Sequence, residues 1–174
     1  TVRKWRAERL IDAPIIDAST HPSIGENIQG PSLVAVPPWI SNRLGNYYLY
    51  FADHKGRYIR LAYADELAGP WIVHVLGSLQ LEQSYFPTEP LELDDEILKS
   101  HQGRAAQDKT RLPHDLRLEL TTPHIASPDV HVDQDSRRLL MYFHGLQSPG
   151  TPLTRVATSL VGLVSHACPA TFAR

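Results

Sequence analysis

The chain has 174 residues, of which 42% are hydrophobic and 21% charged, with a formal net charge of −2 at pH 7. This composition is typical of a globular protein long enough to bury a core. The near-neutral charge gives no electrostatic reason to expect nucleic acid or an anionic membrane as a partner. Cys168 is the single cysteine, which excludes an internal disulfide. No apolar run approaches the roughly 20 residues that span a bilayer, and the basic start lacks the apolar stretch of a signal peptide. The localisation is therefore unknown, with the cytoplasm as the default expectation.

A first unit of four strands is predicted after an N-terminal extension of residues 1–27. This unit covers residues 28–81, where aromatic and branched apolar runs alternate with turn signals. The connection 53–56 ends in glycine and indicates a hairpin, and Gly69-Pro70 turns the chain into the last strand. The predicted strands are 32–36, 47–52, 57–64 and 71–76, joined as an antiparallel meander.

Residues 82–123 interrupt this pattern with charged residues, acidic in the first half and basic in the second. A short helix is predicted near 94–102, with Asp94 as its N-cap and Gly103 ending it. Two interpretations stay open for this insertion. It is either a solvated excursion between two sheet units or an acidic patch that binds a partner.

A second unit covers residues 124–158 and is predicted to be incomplete. Its strands 129–133 and 138–143 are joined by the turn residues 133–136, and a third strand covers about 153–158. Residues 159–174 carry no aromatic strand. They are therefore predicted to form an atypical tail without a fourth strand.

The two units repeat the same order of sequence features. Each unit opens on a small residue and a proline, continues with a strand that ends in Tyr-Phe, and then has a strand that begins with arginine. The matched residues are Pro31 and Pro128, Phe51 and Phe143, and Arg60 and Arg155. Loops differ while the strands keep their order, as in proteins whose repeated units bury their faces against each other.

These segments resemble the first two blades of the five-bladed β-propellers of the glycoside hydrolase family 43 type. The resemblance covers about residues 25–158 and rests on segments 27–33, 47–54, 61–64, 69–71, 124–131 and 141–143. It implies an all-β fold, namely an incomplete five-bladed β-propeller of two four-stranded antiparallel blades with a charged insertion, in one partial domain 1–174. It also implies a carbohydrate partner and a glycosidase-like activity.

Two departures from that family pattern bear on the activity. The family places a general base within a small-Asp-Pro pattern in the first blade, whereas this chain has Gly30-Pro31-Ser32. The family's general acid lies in a third blade, which this chain does not contain. The fragment alone is therefore expected to be inactive. Two alternatives to a glycosidase stay open: a non-catalytic module that binds a glycan or a protein, and an inactive piece of a longer enzyme.

Asp129 is the candidate catalytic residue. Glycoside hydrolysis needs two carboxylates, and a carboxylate on an inner propeller strand faces the channel where ligands bind. The structural alternative is that Asp129 only bonds the backbone of the turn at Pro128. Glu26 and Asp53 are the candidate second carboxylates and substrate-binding groups, with a turn or surface role as their alternative.

His54, His124 and His144 are predicted to contact a sugar, because imidazole both donates and accepts hydrogen bonds. The alternative is that each satisfies carbonyl groups at a strand end. Trp39 follows two prolines in a loop and is a candidate platform for a sugar ring, with core packing as its alternative. No zinc-binding spacing is present, so no metal site and no cofactor are predicted, although a channel cation stays open.

Overall fold

The computed structural model of the protein describes Lys4, residues 6–109, Arg111 and residues 115–172. In chain order its elements are β1 (Gln29–Ala35), β2 (Tyr47–Ala52), β3 (Tyr58–Ala64), β4 (Ile72–Gln80), a 3-10 turn (Leu81–Gln83), α1 (Asp95–Gln107), α2 (Leu116–Thr121), β5 (Ile125–Asp133), β6 (Arg138–Ser148), β7 (Thr151–Ser159) and β8 (His166–Phe172). Strands β1–β4 form one antiparallel sheet and β5–β8 a second, each in sequential order. No helix within the described residues is long and apolar enough to cross a membrane.

The first sheet is covered on both faces, which explains the uninterrupted apolar character of β2. Tyr48 and Tyr50 pack in the core that the two sheets share. Leu49 and Phe51 pack on the opposite face, together with Ile24 from the N-terminal extension. Because alternate side chains of a strand leave on opposite faces, a strand between two cores needs apolar side chains at every position.

The two sheets repeat their irregularities as well as their strand order. Strands β1 and β5 each have a register shift, indicating a β-bulge, at the proline that opens the unit. The residue before that proline is left-handed in both sheets, with a φ of 59° at Gly30 and 51° at Ser127. Further along, Phe51 in the first sheet and Phe143 in the second each lie opposite an arginine of the next strand. The sequence repeat therefore corresponds to a repeat of strand pairing.

Strands β1 and β5 lie side by side with their bulges in contact. The Ser32 hydroxyl accepts a hydrogen bond from the Val130 amide at 2.8 Å. A Cβ at Gly30 would lie 2.8 Å from the Ser127 Cα, so a side chain has no room there. The mostly β class and the two four-stranded antiparallel sheets are confirmed. The two sheets do not close into a ring within the described residues, so the five-bladed propeller stays a prediction.

The prediction that residues 159–174 lack a fourth strand is wrong. Strand β8 pairs antiparallel with β7, with Thr158 opposite His166 and Ala157 opposite Ala167. The segment has no aromatic strand pattern and contains Pro169. Its conformation is set by the exposed edge of β7, which offers it hydrogen-bond partners, rather than by its local propensity.

The predicted end of the first helix is also wrong, whereas its N-cap is confirmed. The Asp94 carboxylate accepts a hydrogen bond from the Ile97 amide at 2.8 Å. Helix α1 runs through Gly103 to Gln107. The left-handed residue that follows the helix is Lys109, with a φ of 53°. Glycine ends a helix when it takes the left-handed conformation, and here another residue does so.

The insertion is solvated in the middle and anchored at its flanks. Helix α1 has no buried residue. Phe86 before it and Leu120 after it are each only 4% exposed. The backbone amide of Gly150, between β6 and β7, donates to the Leu120 carbonyl at 3.1 Å. Helix α2 is thereby held against the end of the second sheet.

Candidate functional site

Three histidines that the sequence singled out lie together at one end of the sheets. The ring centroids of His54 and His124 are 6.4 Å apart, and those of His124 and His144 are 6.0 Å apart. Together with Lys55 and Glu119 they line a cavity of about 220 Å³, which we call the histidine pocket. Its other lining residues are His101, Leu120, Leu146, Gly150 and Pro152.

Backbone hydrogen bonds bring these residues together from distant parts of the sequence. His54 and Lys55 lie in the hairpin between β2 and β3, and the Gly56 carbonyl of that hairpin accepts a hydrogen bond from the Ile125 amide at 3.0 Å. This bond places the first residue of β5, and His124 before it, against the hairpin. His124 follows helix α2, so the helix lies at the same edge.

A backbone hydrogen bond fixes the tautomer of His124. The Nδ1–H of His124 donates to the Thr122 carbonyl at 2.8 Å, so Nε2 of the neutral ring is an acceptor. Near His54, the Gln29 amide nitrogen lies 3.4 Å from Nδ1. The Nε2 of His54 faces the Glu119 carboxylate at 3.4 Å. The pocket therefore presents an acceptor nitrogen on His124 beside the His54 ring that faces Glu119.

An ion pair lies beside the rings. The Lys55 Nζ is 3.0 Å from the Glu119 carboxylate and also donates to the Glu119 backbone carbonyl at 3.2 Å. Burial raises the pKa of Glu119, but the hydrogen bonds and positive charges of Lys55 and His54 outweigh burial and bring that pKa below its usual range. The carboxylate is thus ionised at neutral pH and its charge is balanced by the lysine.

The His124 ring is held neutral at pH 7. Burial lowers the pKa of His124, and the nearby charges of Lys55 and His54 lower it further, against the opposing effects of the Thr122 carbonyl and Glu119. A neutral ring at this position keeps Nε2 available as a hydrogen-bond acceptor.

We expect the variant His124→Gln to flatten the pH dependence of stability. The lowered pKa means that the unfolded chain binds a proton at a higher pH than the folded protein does. The contribution of His124 to stability is therefore complete above about pH 6.5 and is lost as the pH falls from there through the lowered pKa. Between pH 7.5 and pH 5.5, urea denaturation should show a smaller loss of unfolding free energy in His124→Gln than in the wild type. The two losses should differ by at most about 1.4 kcal/mol per pH unit. His74→Gln, on strand β4, is the matched control, and parallel pH profiles for wild type and His124→Gln would contradict the expectation.

A second cavity lies beside the histidine pocket, along helix α1. Its volume is about 510 Å³, and it shares His101 and Gly150 with the pocket. We call it the α1 furrow, and its other lining residues are Glu96, Ile97, Ser100, Arg104, Ser148, Pro149 and Thr151. A separate cavity of about 550 Å³ runs along β4 and is lined by apolar residues such as Val75, Leu76 and Leu163.

The structure does not bring Asp129 to the histidines. Asp129 lies on β5 opposite Tyr142, and its carboxylate is 2.9 Å from Nε2 of His131 with 67% of the side chain exposed. It lies five positions after His124, beyond the bulge of β5, and is not among the residues that line the pocket. Its catalytic role stays a prediction.

The remaining predicted residues lie apart from one another. Glu26 is exposed before β1. Asp53 accepts a hydrogen bond from the Lys55 amide at 3.0 Å and lies 3.4 Å from the Arg60 guanidinium. Trp39 follows the far end of β1 and packs against the shared core, and its buried indole Nε1 has no hydrogen-bond partner among the described residues. Asp53 adjoins the hairpin of the pocket, whereas Trp39 lies at the opposite end of the sheet.

Sequence reasoning missed Lys55, His101 and Glu119. Lys55 directly follows a predicted site residue, but an isolated lysine in a hairpin carries no signal of its own. His101 and Glu119 lie in the insertion, where charged residues are most often solvated. Their place in the pocket depends on how α1 and α2 pack against the sheets, which no local pattern encodes.

The pocket can form hydrogen bonds of both kinds with an uncharged ligand. It offers imidazole nitrogens, a charge-balanced carboxylate and an apolar wall that includes Leu120, Leu146 and Pro152. Within the part of the chain that the structure describes, no group of three or more His, Cys, Asp or Glu residues is arranged to hold a metal ion. The described residues therefore offer no such ligand set for the channel cation that the sequence left open.

The described residues define a β protein of two four-stranded sheets with a histidine-lined pocket at one end. No family model and no solved structure matches the chain. It is similar to an uncharacterized protein of Acanthamoeba polyphaga mimivirus, with 33% identity over 125 residues. The match covers 68% of this chain and 28% of the viral protein, so the chain spans less than a third of the length of this relative.

Proposed function

We propose that this protein binds a carbohydrate in the histidine pocket. The observation that carries the proposal is the convergence of His54, His124 and His144, which lie 70 and 20 residues apart in sequence, around one cavity. Sugar hydroxyl groups both donate and accept hydrogen bonds, and the pocket offers partners of both kinds. The balanced charge of Lys55 and Glu119 suits an uncharged ligand better than an ion, because neither charge is left without a counterpart.

The arrangement of the two sheets supports a propeller-like architecture for this site. The opening strands β1 and β5 are neighbours, and each carries a bulge at the same place. Neighbouring propeller blades place their innermost strands in this way around a common axis. In this proposal the two sheets are adjacent blades, and the insertion closes the pocket at one mouth.

We expect the variant His54→Ala to weaken sugar binding about tenfold. The side chain is half-exposed, so its removal should leave the fold intact, while the loss of one hydrogen-bonding partner costs about 1–1.5 kcal/mol. A glycan array of neutral mono- and oligosaccharides would find the best sugar, and titration calorimetry at pH 7.5 would compare affinities. His74→Ala is the matched control. Equal affinity of wild type and His54→Ala would contradict the proposed pocket, as would the absence of binding to any neutral saccharide.

A glycosidase centred on Asp129 is the second candidate. The left-handed Ser127 lies two residues before Asp129 in a β-bulge, and such strained backbone often re-aims side chains near active sites. Binding is favoured over hydrolysis because Asp129 pairs with His131 and Asp53 with Arg60, so these carboxylates are held by different partners. Release of p-nitrophenol from aryl xyloside, arabinoside, glucoside or galactoside by wild type but not by Asp129→Asn would favour the enzyme. Equal rates would remove Asp129 from the mechanism.

A further inference from the structure

We infer that the ligand is an oligosaccharide of at least two sugar units, with one unit in the histidine pocket and the next in the α1 furrow. This inference rests on the proposed function and adds the length and the direction of the ligand. It assigns a binding role to helix α1, which belongs to the charged insertion rather than to either sheet.

The volumes of the two cavities support a ligand that occupies both. At about 220 Å³ the histidine pocket is smaller than most ligand sites, which measure about 300–1,000 Å³. The α1 furrow adds about 510 Å³ and lies next to the pocket, with His101 and Gly150 lining both cavities. A chain of sugar units is a ligand of small cross-section that can extend from one cavity into the next.

At the junction of the two cavities, Gly150 allows the His101 and Leu120 side chains to pack directly against the backbone. A Cβ at this position would lie 2.6 Å from the His101 Nε2 and 2.8 Å from the Leu120 Cδ2. The φ of Gly150 is 64°, a conformation that glycine adopts without strain. His101 is itself held in place, because its Nδ1–H donates to the Ile97 carbonyl at 3.0 Å. The junction is thus formed by a bare backbone and an oriented imidazole.

The chemistry of the furrow matches that of the pocket. Its polar side chains include one cation, Arg104, and one anion, Glu96, with the hydroxyl groups of Ser100 on α1 and Thr151 on β7. As in the pocket, charges of both signs are present and neutral donors and acceptors accompany them. A ligand that bears hydroxyl groups along its whole length can use both surfaces, whereas an anionic chain would meet a carboxylate in each.

The test compares saccharides of different length on the full chain. Titration calorimetry at pH 7.5 would compare the affinity for glucose with that for cellotriose, and the affinity for xylose with that for xylotriose. We expect the preferred trisaccharide to bind at least tenfold more tightly than its monosaccharide. Arg104→Ala should reduce this ratio to less than about threefold and leave the monosaccharide affinity unchanged. Lys99→Ala, which removes an exposed cation from the same helix outside the furrow, should keep the wild-type ratio.

The outcomes separate this inference from the proposed function. If a monosaccharide and its trisaccharide bind equally well, and His54→Ala weakens both, the pocket stands and the extension along α1 is wrong. The extension is also wrong if Arg104→Ala keeps the full preference for the trisaccharide. If none of the four saccharides binds and the glycan array is also negative, both the inference and the proposed function are overturned.

Discussion

Replacing Phe143 by alanine is expected to lower the free energy of unfolding by about 3–5 kcal/mol, the range for a buried aromatic side chain. Phe143 is only 1% exposed and packs edge-on against Phe86, with ring centroids 6.0 Å apart. The Phe86 ring also lies beneath the Arg155 guanidinium and over Gly145, where a Cβ would be 2.4 Å from the ring. The substitution therefore leaves a cavity where the insertion meets the second sheet. Urea denaturation curves of the wild type and the variant, fitted with the same m-value, would measure the loss of unfolding free energy.

Leu118→Ala provides the control for Phe143→Ala. Leu118 is 60% exposed on helix α2, so its truncation should change the stability by no more than about 0.5 kcal/mol. A loss below 1 kcal/mol in Phe143→Ala would contradict the packing of Phe86 on β6. In that case the start of the insertion would not be anchored to the second sheet.

Replacing Tyr50 by alanine is expected to cost about 3–5 kcal/mol as well, because it empties the core between the two sheets. Tyr50 is 1% exposed, and its hydroxyl donates to the Gly162 carbonyl, in the loop between β7 and β8, at 2.8 Å. Burial raises the pKa of Tyr50 far above its usual range, so the phenol keeps its proton and remains a donor. Thermal and urea denaturation would measure the effect.

The variant Tyr50→Phe separates packing from the hydrogen bond. It keeps the ring and leaves the buried Gly162 carbonyl without this donor, at an expected cost of about 1–3 kcal/mol. Tyr47→Phe, at a half-buried position of the same strand, is the matched control and should cost less than about 0.5 kcal/mol. A Tyr50→Phe variant as stable as wild type would show that the loop around Gly162 is held to the first sheet by packing alone.

Much of the sheet structure could be predicted from local patterns. The runs that contain Tyr48 and Phe143 are apolar, aromatic and bounded by turn residues, and both form the second strand of a sheet. The Asp94 N-cap could likewise be predicted, because a short polar side chain before a helix accepts hydrogen bonds from the free backbone amides of the first turn. Strand β8 could not be predicted from the local sequence, since a segment that contains Pro169 becomes a strand only through pairing with β7.

The sequence analysis named three of the residues that line the histidine pocket, and their functional role stays a prediction. His54, His124 and His144 were recognised because two of them follow equivalent strands and the third precedes a repeat unit. Asp129 was predicted to share their site, but the length of β5 separates it from them. Residue type and repeat position identify which side chains lie near strand ends, but not at which end of the sheet they meet.

The sequence by itself determined the order of strands β1–β7, the repeat of the two units and the chemistry available at the strand ends, because side-chain alternation and turn residues act over a few neighbouring positions. Only the tertiary structure decided that Glu119 and His101 complete the pocket and that a second cavity adjoins it along α1. Those placements depend on the burial of Phe86 and Leu120 and on the backbone bond from Gly150 to α2. Contacts between residues so far apart in the chain form only when the whole core packs.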